Sequence, residues 1–512
     1  MKNRNPHKAA IFFAGPTVTA IAAVLLVVCL VLFLIVVPAV VRALILKETR
    51  LLNGTETWEK WTDIKIPILI KFNIFNVTNI EDAENGGKFK LQEVGPYVWE
   101  EKRTKQIIGV DEDEDTVSYR EVVHYYFRRD LSVGSQEDTV NIINVPFLSA
   151  STLIYKLLYS SLANYLIDFF MSMDEKFVLR DVNIRELVFD GVHLGATYEN
   201  LADFGIVELP DEFVEGTFAF YNQKNGTPSK EFKVNRGIKN YKDFGKIVEF
   251  DHQKKLSYWT NQSLPEDSQH QYCNKINGTD GSVFAPFVSK DQRLRIFNPE
   301  ICRSIYLRFD KELNFEGIPA YRFSIPEELL QDPYTNGENQ CFCTDPGSGL
   351  ANSCRGHGAI RMFSCKKGIP IGLSLPHFLQ GDKRYHEEVE GMKPDPSKHE
   401  TDIIIEPNSG AILRIVKRIQ ISTELQRLPG ITAFSKVSEA IVPIFWVEER
   451  GDLAETDVAE IRDRLVVPLE ILRVWKPIVL AMLVLSFISG VLMSLYEIYF
   501  IRPQRIQCIS IL

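Results

Sequence analysis

The chain has 512 residues, of which 45% are hydrophobic and 11% aromatic, and its formal net charge at pH 7 is −9. This composition can bury a large core, which excludes a wholly disordered chain. The negative charge argues against a nucleic-acid-binding face, so no nucleic acid is expected among its partners.

The first feature along the chain is a run of 33 residues, Ala9 to Val41, without a charged side chain. An apolar helix needs roughly 20 residues to cross the hydrocarbon layer of a membrane. A cleaved signal peptide has a shorter apolar core, of ~7–15 residues. We therefore expect an uncleaved transmembrane helix at 9–41, preceded by a cytoplasmic N-terminus at 1–8.

Five acceptor triplets for N-glycosylation follow, and all lie between this run and a second apolar run near the C-terminus. They begin at Asn53, Asn76, Asn225, Asn261 and Asn277. Glycans are added outside the cytoplasm, so the central segment at 42–476 is expected to be an extracellular ectodomain. Both termini are then cytoplasmic.

Alternating, β-branched stretches separated by turn signals run through this central segment, which has neither an internal repeat nor a linker of Gly, Ser or Pro. They are typical of a largely antiparallel β domain, and we expect one large domain. The stretches are Ile68–Val77, Thr116–Phe127, Thr217–Tyr221, Ile247–Phe250, Thr401–Glu406 and Ala411–Ile421.

One segment breaks the β pattern. From Phe147 to Met171, 17 of 25 residues are apolar, and only Lys156 and Asp168 are charged. Its length favours a helix, or a helical pair broken near Ser160-Ser161. One interpretation is a helix buried in the core. The other is an apolar surface that receives lipid, with Lys156 attracting anionic headgroups.

Six of the eight cysteines lie within 93 residues of the central segment. An even number in one stretch predicts three disulfides in an oxidising compartment. A zinc site is the alternative, but only two of the six are closely spaced, so no metal site is expected. Six cysteines allow fifteen pairings. The six are Cys273, Cys302, Cys341, Cys343, Cys354 and Cys365.

The second uncharged run, Pro477 to Tyr496, has 20 residues and predicts a transmembrane helix at 477–496. A cytoplasmic tail at 497–512 follows it. Within the run, small residues recur every four positions, a spacing suited to close helix packing. Homo-oligomerisation, pairing with the first span and a chance spacing all stay open. The small residues are Ser486, Gly490 and Ser494.

The tail contains Cys508, which lies close to a membrane span and is a candidate for palmitoylation. The alternative is an idle reduced thiol.

Common catalytic signatures are absent from the sequence. It has no His-Glu-x-x-His, no Gly-x-Ser-x-Gly, no phosphate-binding glycine loop and no dinucleotide fingerprint. We therefore expect a protein that is not an enzyme, with neither catalytic residues nor a cofactor.

Several short motifs, in order along the central segment, resemble those of class B scavenger receptors, the family that includes fatty acid translocase and the lysosomal integral membrane protein. The resemblance extends from the first span to the second. The motifs are Phe75-Asn76-Val77-Thr78-Asn79, Glu93-Val94-Gly95-Pro96-Tyr97, Asn277-Gly278-Thr279-Asp280-Gly281, Cys302-Arg303-Ser304, Cys341-Phe342-Cys343, Pro376-His377-Phe378, and Glu406-Pro407 followed by Gly410.

This resemblance implies a fold and a site. The fold is an α+β membrane protein, in which two transmembrane helices flank an antiparallel β-barrel-like ectodomain with an apical helical bundle and an internal apolar tunnel. Lys156, with Leu153 and Leu157 beside it, falls near the ligand entrance of relatives. The implied disulfides are Cys273–Cys341, Cys302–Cys365 and Cys343–Cys354.

The resemblance also implies a function. We expect a cell-surface receptor that binds lipids or lipoprotein particles and transfers lipid (fatty acid, sterol or carotenoid) to the membrane. An adhesion or phagocytic clearance receptor, a chemosensory co-receptor and a lysosomal trafficking receptor for a luminal protein are the alternatives. Lysosomal members carry an acidic dileucine signal that the tail ending Ile509-Ser510-Ile511-Leu512 lacks. The cell membrane is therefore favoured over the lysosomal membrane.

Overall fold

The structure is a computed structural model, and it describes residues 14–158, 160–172, 176–193, 213–214, 216–259, 270–344 and 356–501. The chain divides into two compact units. We call them the helical unit and the sheet domain. The helical unit comprises Met1–Glu48, Glu316–Ile318 and Glu455–Leu512, and the sheet domain comprises Thr49–Phe315 and Pro319–Ala454.

The described α-helices are numbered here in chain order. They are α1 (Ala14–Val31), α2 (Val37–Glu48), α3 (Glu56–Thr62), α4 (Ile80–Glu84), α5 (Val145–Leu157), α6 (Ser160–Ser172), α7 (His270–Cys273), α8 (Lys383–Glu388), α9 (Pro396–His399), α10 (Glu455–Ile461) and α11 (Val467–Tyr496). Turns of π-helix occur at Leu32–Val36, Glu186–Asp190, Arg462–Val466 and Glu497–Ile501. Short 3₁₀ turns occur at Tyr241–Asp243, Pro299–Ile301, Glu327–Leu330, Gly337–Phe342, Pro376–Phe378 and Thr432–Phe434.

The described strands are numbered in the same way. They are β1 (Asp63–Val77), β2 (Leu91–Asp111), β3 (Thr116–Phe127), β4 (Thr139–Ile143), β5 (Val178–Asn183), β6 (Val192–His193), β7 (Phe213–Val214), β8 (Thr217–Phe218), β9 (Phe232–Asn235), β10 (Ile247–Phe250), β11 (Leu294–Asn298), β12 (Arg303–Phe315), β13 (Ile318–Ser324), β14 (Ala359–Arg361), β15 (Ile371–Ser374), β16 (Asp402–Ile405), β17 (Ile412–Leu425) and β18 (Ala440–Asp452).

The helical unit contains two helical stretches that are long and apolar enough to cross a membrane, Pro16–Glu48 and Glu455–Phe500. The first stretch continues past the C-terminal end of the predicted span at 9–41. The second begins before the predicted span at 477–496. The predicted bounds were set at the first charged residue on each side. A helix can continue through charged residues, because its backbone hydrogen bonds join residues four positions apart.

Inside this unit, α11 packs closely against α1 at two of the three small residues, Gly490 and Ser494. The Oγ1 atom of Thr19 lies 3.4 Å from the Oγ atom of Ser494. A Cβ atom added to Gly490 would lie 2.6 Å from Thr19 Oγ1 and 2.8 Å from its backbone nitrogen. The small-residue spacing therefore serves pairing between the two spans of one chain.

The sheet domain is built on one 13-stranded sheet with the order β10-β9-β3-β2-β1-β18-β17-β16-β13-β12-β11, to which β15 adds along β17 and β14 along β15. The strands pair antiparallel, as the alternation predicted; for example, Phe72 of β1 faces Tyr97 of β2 and Val447 of β18. The predicted strands at 116–127 and 247–250 have the predicted bounds. The stretch at 217–221 forms a strand only at Thr217–Phe218.

The two ends of this sheet meet through the motif that begins at Asn277. The backbone N–H of Ile247 in β10 donates to the Gly278 carbonyl at 2.8 Å. On the other side, the Thr279 N–H donates to the Arg295 carbonyl at 3.1 Å, and the Phe297 N–H donates to the Thr279 carbonyl at 2.9 Å. Two residues thus join the first and last strands, and the sheet becomes a near-barrel.

Side chains of alternate residues on β2 show how the interior changes along the near-barrel. Trp99 belongs to an aromatic layer, with its ring centroid 5.4 Å from that of Phe72. The next inward residues are Glu101 and Arg103, which form an ion pair with each other. Arg103 forms a second ion pair with Glu449, at 3.0 Å. The interior is therefore ionic at this level, and a continuous apolar tunnel stays a prediction.

The segment predicted as a helix or a broken helical pair forms α5 and α6, with the break after Leu157. The Asn144 side chain caps α5 by accepting the Phe147 N–H at 3.0 Å. One face of the pair is buried in a cluster that includes Phe434. The opposite side of α6 exposes three large apolar side chains. These are Leu162, Tyr165 and Phe169, which are 50%, 70% and 50% exposed.

Candidate functional site

A cavity of about 90 Å³ lies beside α5, with Thr152 and Lys156 of that helix in its wall. The Lys156 Nζ atom stands 3.6 Å from the centroid of the Phe363 ring, which also lines the cavity. Leu329, Ile360 and several other apolar residues complete much of the lining. The cavity thus combines an apolar wall with cations, a combination suited to an amphipathic anion.

The three residues predicted at the ligand entrance have different places. Lys156 is exposed and lines the cavity. Leu153 packs against Gly368, where an added Cβ atom would lie 2.5 Å from Leu153 Cδ2. Leu157 is the last residue of α5, and its side chain lies outside the part of the chain that the structure describes.

Two disulfides hold another part of the cavity wall. They join Cys302 to Cys365 and Cys273 to Cys341, with Cα atoms 6.3 Å and 6.0 Å apart. These are two of the three pairs that the resemblance implied. Cys343 is also disulfide-bonded, whereas Cys354 lies outside the described residues.

The residues that follow Cys302 and Cys341 are Arg303 and Phe342, and they contact each other. The guanidinium carbon of Arg303 lies 3.6 Å from the centroid of the Phe342 ring. A third aromatic residue, Trp259, packs edge-on against Phe342 with ring centroids 5.0 Å apart and donates its indole N–H to the Cys302 carbonyl at 2.7 Å. Arg303 therefore follows a disulfide-bonded cysteine and packs on a ring that Trp259 supports.

Arg303 differs from the other charged residues of the cavity. It is only 2% exposed, and burial lowers its pKa to about 10. Arg361 pairs with Glu424 at 2.6 Å. The Asp332 carboxylate is occupied by the backbone N–H groups of residues 334 and 335, at 2.9 and 3.0 Å.

Sequence reasoning missed Arg303 as a site residue. One signal in the sequence could have indicated it. In the motifs at Cys302 and Cys341, a cysteine directly precedes a cationic residue in one case and an aromatic residue in the other.

A second polar cluster brings together motifs that are far apart in the sequence. The Glu93 carboxylate accepts from the His377 Nε2–H at 3.0 Å and from the Trp446 indole N–H at 3.0 Å. The His377 ring stacks on the His399 ring with centroids 4.5 Å apart and meets Phe75 edge-on at 5.2 Å. Three of the family-like motifs therefore meet in this cluster.

Hydrogen bonds fix the orientation of both rings. Backbone N–H groups of Lys393 and Asp395 donate to the Nδ1 atoms of His377 and His399, at 3.1 and 3.0 Å. Burial and the neighbouring His377 lower the pKa of His399 from 6.5 to about 4. Burial raises the pKa of Glu93, but the hydrogen bond from His377 and the charges around it lower it overall.

Acid is expected to destabilise the sheet domain through His399. Between pH 6.5 and about 4, the unfolded chain binds a proton at this residue that the folded chain does not, so stability falls as the pH falls through this window. The expected loss is on the order of 2 kcal/mol.

Thermal unfolding of the wild type and of His399→Gln at pH 7 and pH 4.5 measures this loss of stability, and the variant should lose less. His252→Gln, at a side chain that is 73% exposed, is the control. Equal losses in the wild type and His399→Gln would contradict the assignment.

The candidate glycosylation sites have different surroundings. Asn53 and Asn225 are exposed, whereas Asn76 and Asn277 are half-buried. The Asn76 Oδ1 atom accepts the Asn141 N–H at 2.8 Å, which leaves its amide nitrogen as the attachment atom. Asn261 and the candidate palmitoylation residue Cys508 lie outside the described residues.

Comparison with known proteins gives consistent relatives. Over 404 residues the chain is 32% identical to Lysosome membrane protein 2 of Rattus norvegicus, with 79% of this chain and 78% of the relative covered. It is 30% identical to Sensory neuron membrane protein 2 of Manduca sexta, with 88% and 87% covered. It is 28% identical to Scavenger receptor class B member 1 of Rattus norvegicus, with 93% and 87% covered.

These relatives are named as receptors and membrane proteins, from both lysosomal and scavenger-receptor branches. Their names leave the choice between cell surface and lysosome open. The match to the CD36 family extends over residues 20–494, which include most of both apolar helices and the whole near-barrel. The chain therefore belongs to the CD36 family.

Proposed function

We propose that this protein is a cell-surface receptor that captures lipids or lipoprotein particles and transfers lipid to its own membrane through the interior of the sheet domain. The physical driver is the hydrophobic effect. Each methylene group kept from water contributes ~0.8 kcal/mol. A long chain therefore prefers an enclosed path to solvent, and transfer down a lipid gradient needs no fuel.

The observation that carries this proposal is the α5–α6 pair. Its outer side exposes Leu162, Tyr165 and Phe169, which form an apolar surface that a soluble monomer rarely retains without a use. On the neighbouring helix, Lys156 lines a cavity and offers a positive charge to an anionic headgroup. An apolar landing surface beside a cation fits the two ends of a lipid.

The interior supports the transfer step in part. Below the aromatic layer, the interior is lined by charged side chains that remain partly exposed. These are Arg103, Lys417 and Glu449, which are 20%, 34% and 17% exposed. These charged side chains are therefore still partly accessible to solvent. A receptor that grips particles without passing lipid is the alternative, and the experiment below separates the two.

Uptake of lipid without uptake of the carrier is the expected result for a transfer receptor. Cells that express the chain at a measured surface density receive particles labelled separately in lipid and in protein. We expect the lipid label to enter in excess of the protein label. Equal entry of both labels would support clearance of whole particles instead.

Charge reversal at the cavity is expected to weaken capture of anionic lipid. Lys156→Glu should lower the affinity for vesicles that contain anionic lipid by about 5- to 10-fold, because an exposed charge contributes about 1 kcal/mol. Lys254→Glu, at a lysine that is 75% exposed and does not line the cavity, is the matched control. Equal capture by both variants would remove Lys156 from the site and leave the transfer step untouched.

We also propose that both termini are cytoplasmic and that the protein resides in the cell membrane. The five acceptor asparagines support this orientation, because all of them lie between the two spans.

A further inference from the structure

We propose that Arg303 is the centre of a buried oxyanion-binding subsite, which takes the carboxylate or phosphate headgroup of a single-chain lipid. This inference rests on the proposed lipid-receptor function and adds to it a specific residue and headgroup chemistry. It concerns a residue inside the wall of the cavity, distinct from Lys156 at its exposed side.

The first argument is that Arg303 is a buried cation without a counterion. It is 2% exposed and lines the cavity. Among the described residues, no carboxylate forms an ion pair with it, and its Nε–H has no hydrogen-bond partner. Buried charges in proteins are normally paired, because leaving one uncompensated is strongly destabilising. An unpaired buried cation that faces a cavity therefore points to an anionic ligand.

The second argument is geometric. Arg303 stacks on Phe342 with 3.6 Å between the guanidinium carbon and the ring centroid, so the ring covers a face of the guanidinium. The N–H donors lie in the guanidinium plane, so the ring does not satisfy them, and the Nε–H has no hydrogen-bond partner. A planar fork of this kind matches the two oxygens of a carboxylate or phosphate.

The third argument is that the arrangement is rigid before any ligand arrives. The Cys302–Cys365 bond fixes the residue before Arg303, and the Cys273–Cys341 bond fixes the residue before Phe342. A donor held in place loses little conformational freedom when it binds, which raises affinity.

The fourth argument concerns the rest of the ligand. Apolar side chains line the same cavity, among them Leu329, Leu330 and Ile371. A second arginine in the wall, Arg361, is neutralised by Glu424. An oxyanion attached to an apolar chain satisfies both the unpaired donor and the apolar lining, whereas a free inorganic anion satisfies only the donor.

The experiment compares three single-chain lipids of equal chain length on the full-length protein in nanodiscs of neutral phosphatidylcholine. The probes are oleate, oleoyl lysophosphatidate and uncharged oleyl alcohol. Arg303→Met should lower the affinity for oleate, lysophosphatidate or both by about 10- to 100-fold, since a charge-assisted hydrogen bond is lost. The affinity for oleyl alcohol should stay unchanged, and the melting temperature should not fall.

The matched control is Arg293→Met. The guanidinium carbon of Arg293 also lies over a ring, 4.6 Å from the centroid of Tyr306, but Arg293 does not line the cavity. This variant should bind all three lipids as the wild type does. A loss confined to oleate identifies a carboxylate, and a loss confined to lysophosphatidate identifies a phosphate.

Two results would overturn the subsite while the proposed function stands. In the first, Arg303→Met binds oleate and lysophosphatidate as tightly as the wild type. In the second, it loses all three lipids equally together with a lower melting temperature, which is the behaviour of a structural residue. A wild-type chain that binds none of the three lipids would overturn both the subsite and the proposed function.

Discussion

Replacing Asp280 with alanine is expected to lower the free energy of unfolding of the sheet domain by about 3–5 kcal/mol. The substitution would leave the buried Lys105 without its carboxylate partner. The Lys105 ammonium donates to Asp280 Oδ2 at 2.7 Å, and the Lys105 side chain is only 1% exposed. Without the carboxylate, the interior of the near-barrel would hold an uncompensated charge.

The Asp280 carboxylate is bound on several sides. Tyr119 donates its hydroxyl to Oδ2 at 2.7 Å, and the Ser282 hydroxyl donates to Oδ1 at 2.6 Å. Burial alone would raise the pKa of Asp280, but the charge of Lys105 and these hydrogen bonds lower it to about 2. The folded state therefore favours the charged form, and the stability that this carboxylate contributes is lost progressively as the pH falls from 3.8 through about 2.

Urea unfolding followed by tryptophan fluorescence measures this effect, since the Trp61 ring lies 4.6 Å from Lys105 Nζ. The control is Glu312→Ala, which breaks an exposed ion pair. The side chains of Lys290 and Glu312 in that pair are 48% and 61% exposed. It should change stability by less than about 1 kcal/mol. The double variant Lys105→Met/Asp280→Leu should recover much of the loss. An Asp280→Ala variant as stable as the control would contradict the buried-pair argument.

Substitution of Gly278 by valine is expected to prevent closure of the near-barrel, with a cost of more than about 4 kcal/mol. The backbone φ of Gly278 is +106°, where a side chain is strained, and an added Cβ atom would lie 2.2 Å from the Arg295 carbonyl oxygen. That carbonyl accepts one of the hydrogen bonds that join the ends of the sheet. Both the strain and the clash therefore act on the closure itself.

The fraction of chains that reach the cell surface, together with the urea midpoint, measures the effect of Gly278→Val. Gly109→Val is the matched control, because Gly109 lies in β2 with no atom within 4 Å of an added Cβ. It should shift stability by less than about 0.5 kcal/mol. Normal surface expression of Gly278→Val would show that the near-barrel closes without this contact.

These two predictions concern one motif, the segment that begins at Asn277. Gly278 and Thr279 make the backbone bonds that close the sheet, and the next residue supplies the interior carboxylate for Lys105. The motif therefore serves the fold. The motifs at Cys302 and Cys341, in contrast, place a cation and a ring at a cavity, and the subsite that we propose there would serve a ligand rather than the fold.

Some features followed from the sequence because they depend on local patterns. Two long uncharged runs predicted the apolar helices, and alternation predicted β3 and β10 with the bounds that the structure has. The apolar segment with Ser160-Ser161 near its middle predicted the helical pair. Each of these signals is contained in a short window, because helix and strand periodicity arise from neighbouring residues.

Other features needed the tertiary structure. The strand β2 was not predicted, because its inward residues Glu101 and Arg103 interrupt the apolar alternation, and only their ion pairing inside the near-barrel makes them compatible with a buried face. The contact between Glu93 and His377 joins residues 284 positions apart. The packing of Arg303 on Phe342 likewise joins two separate segments. Composition and periodicity determined which elements form, whereas long-range pairing of charges and rings decided which of them meet, and no local pattern encodes that choice.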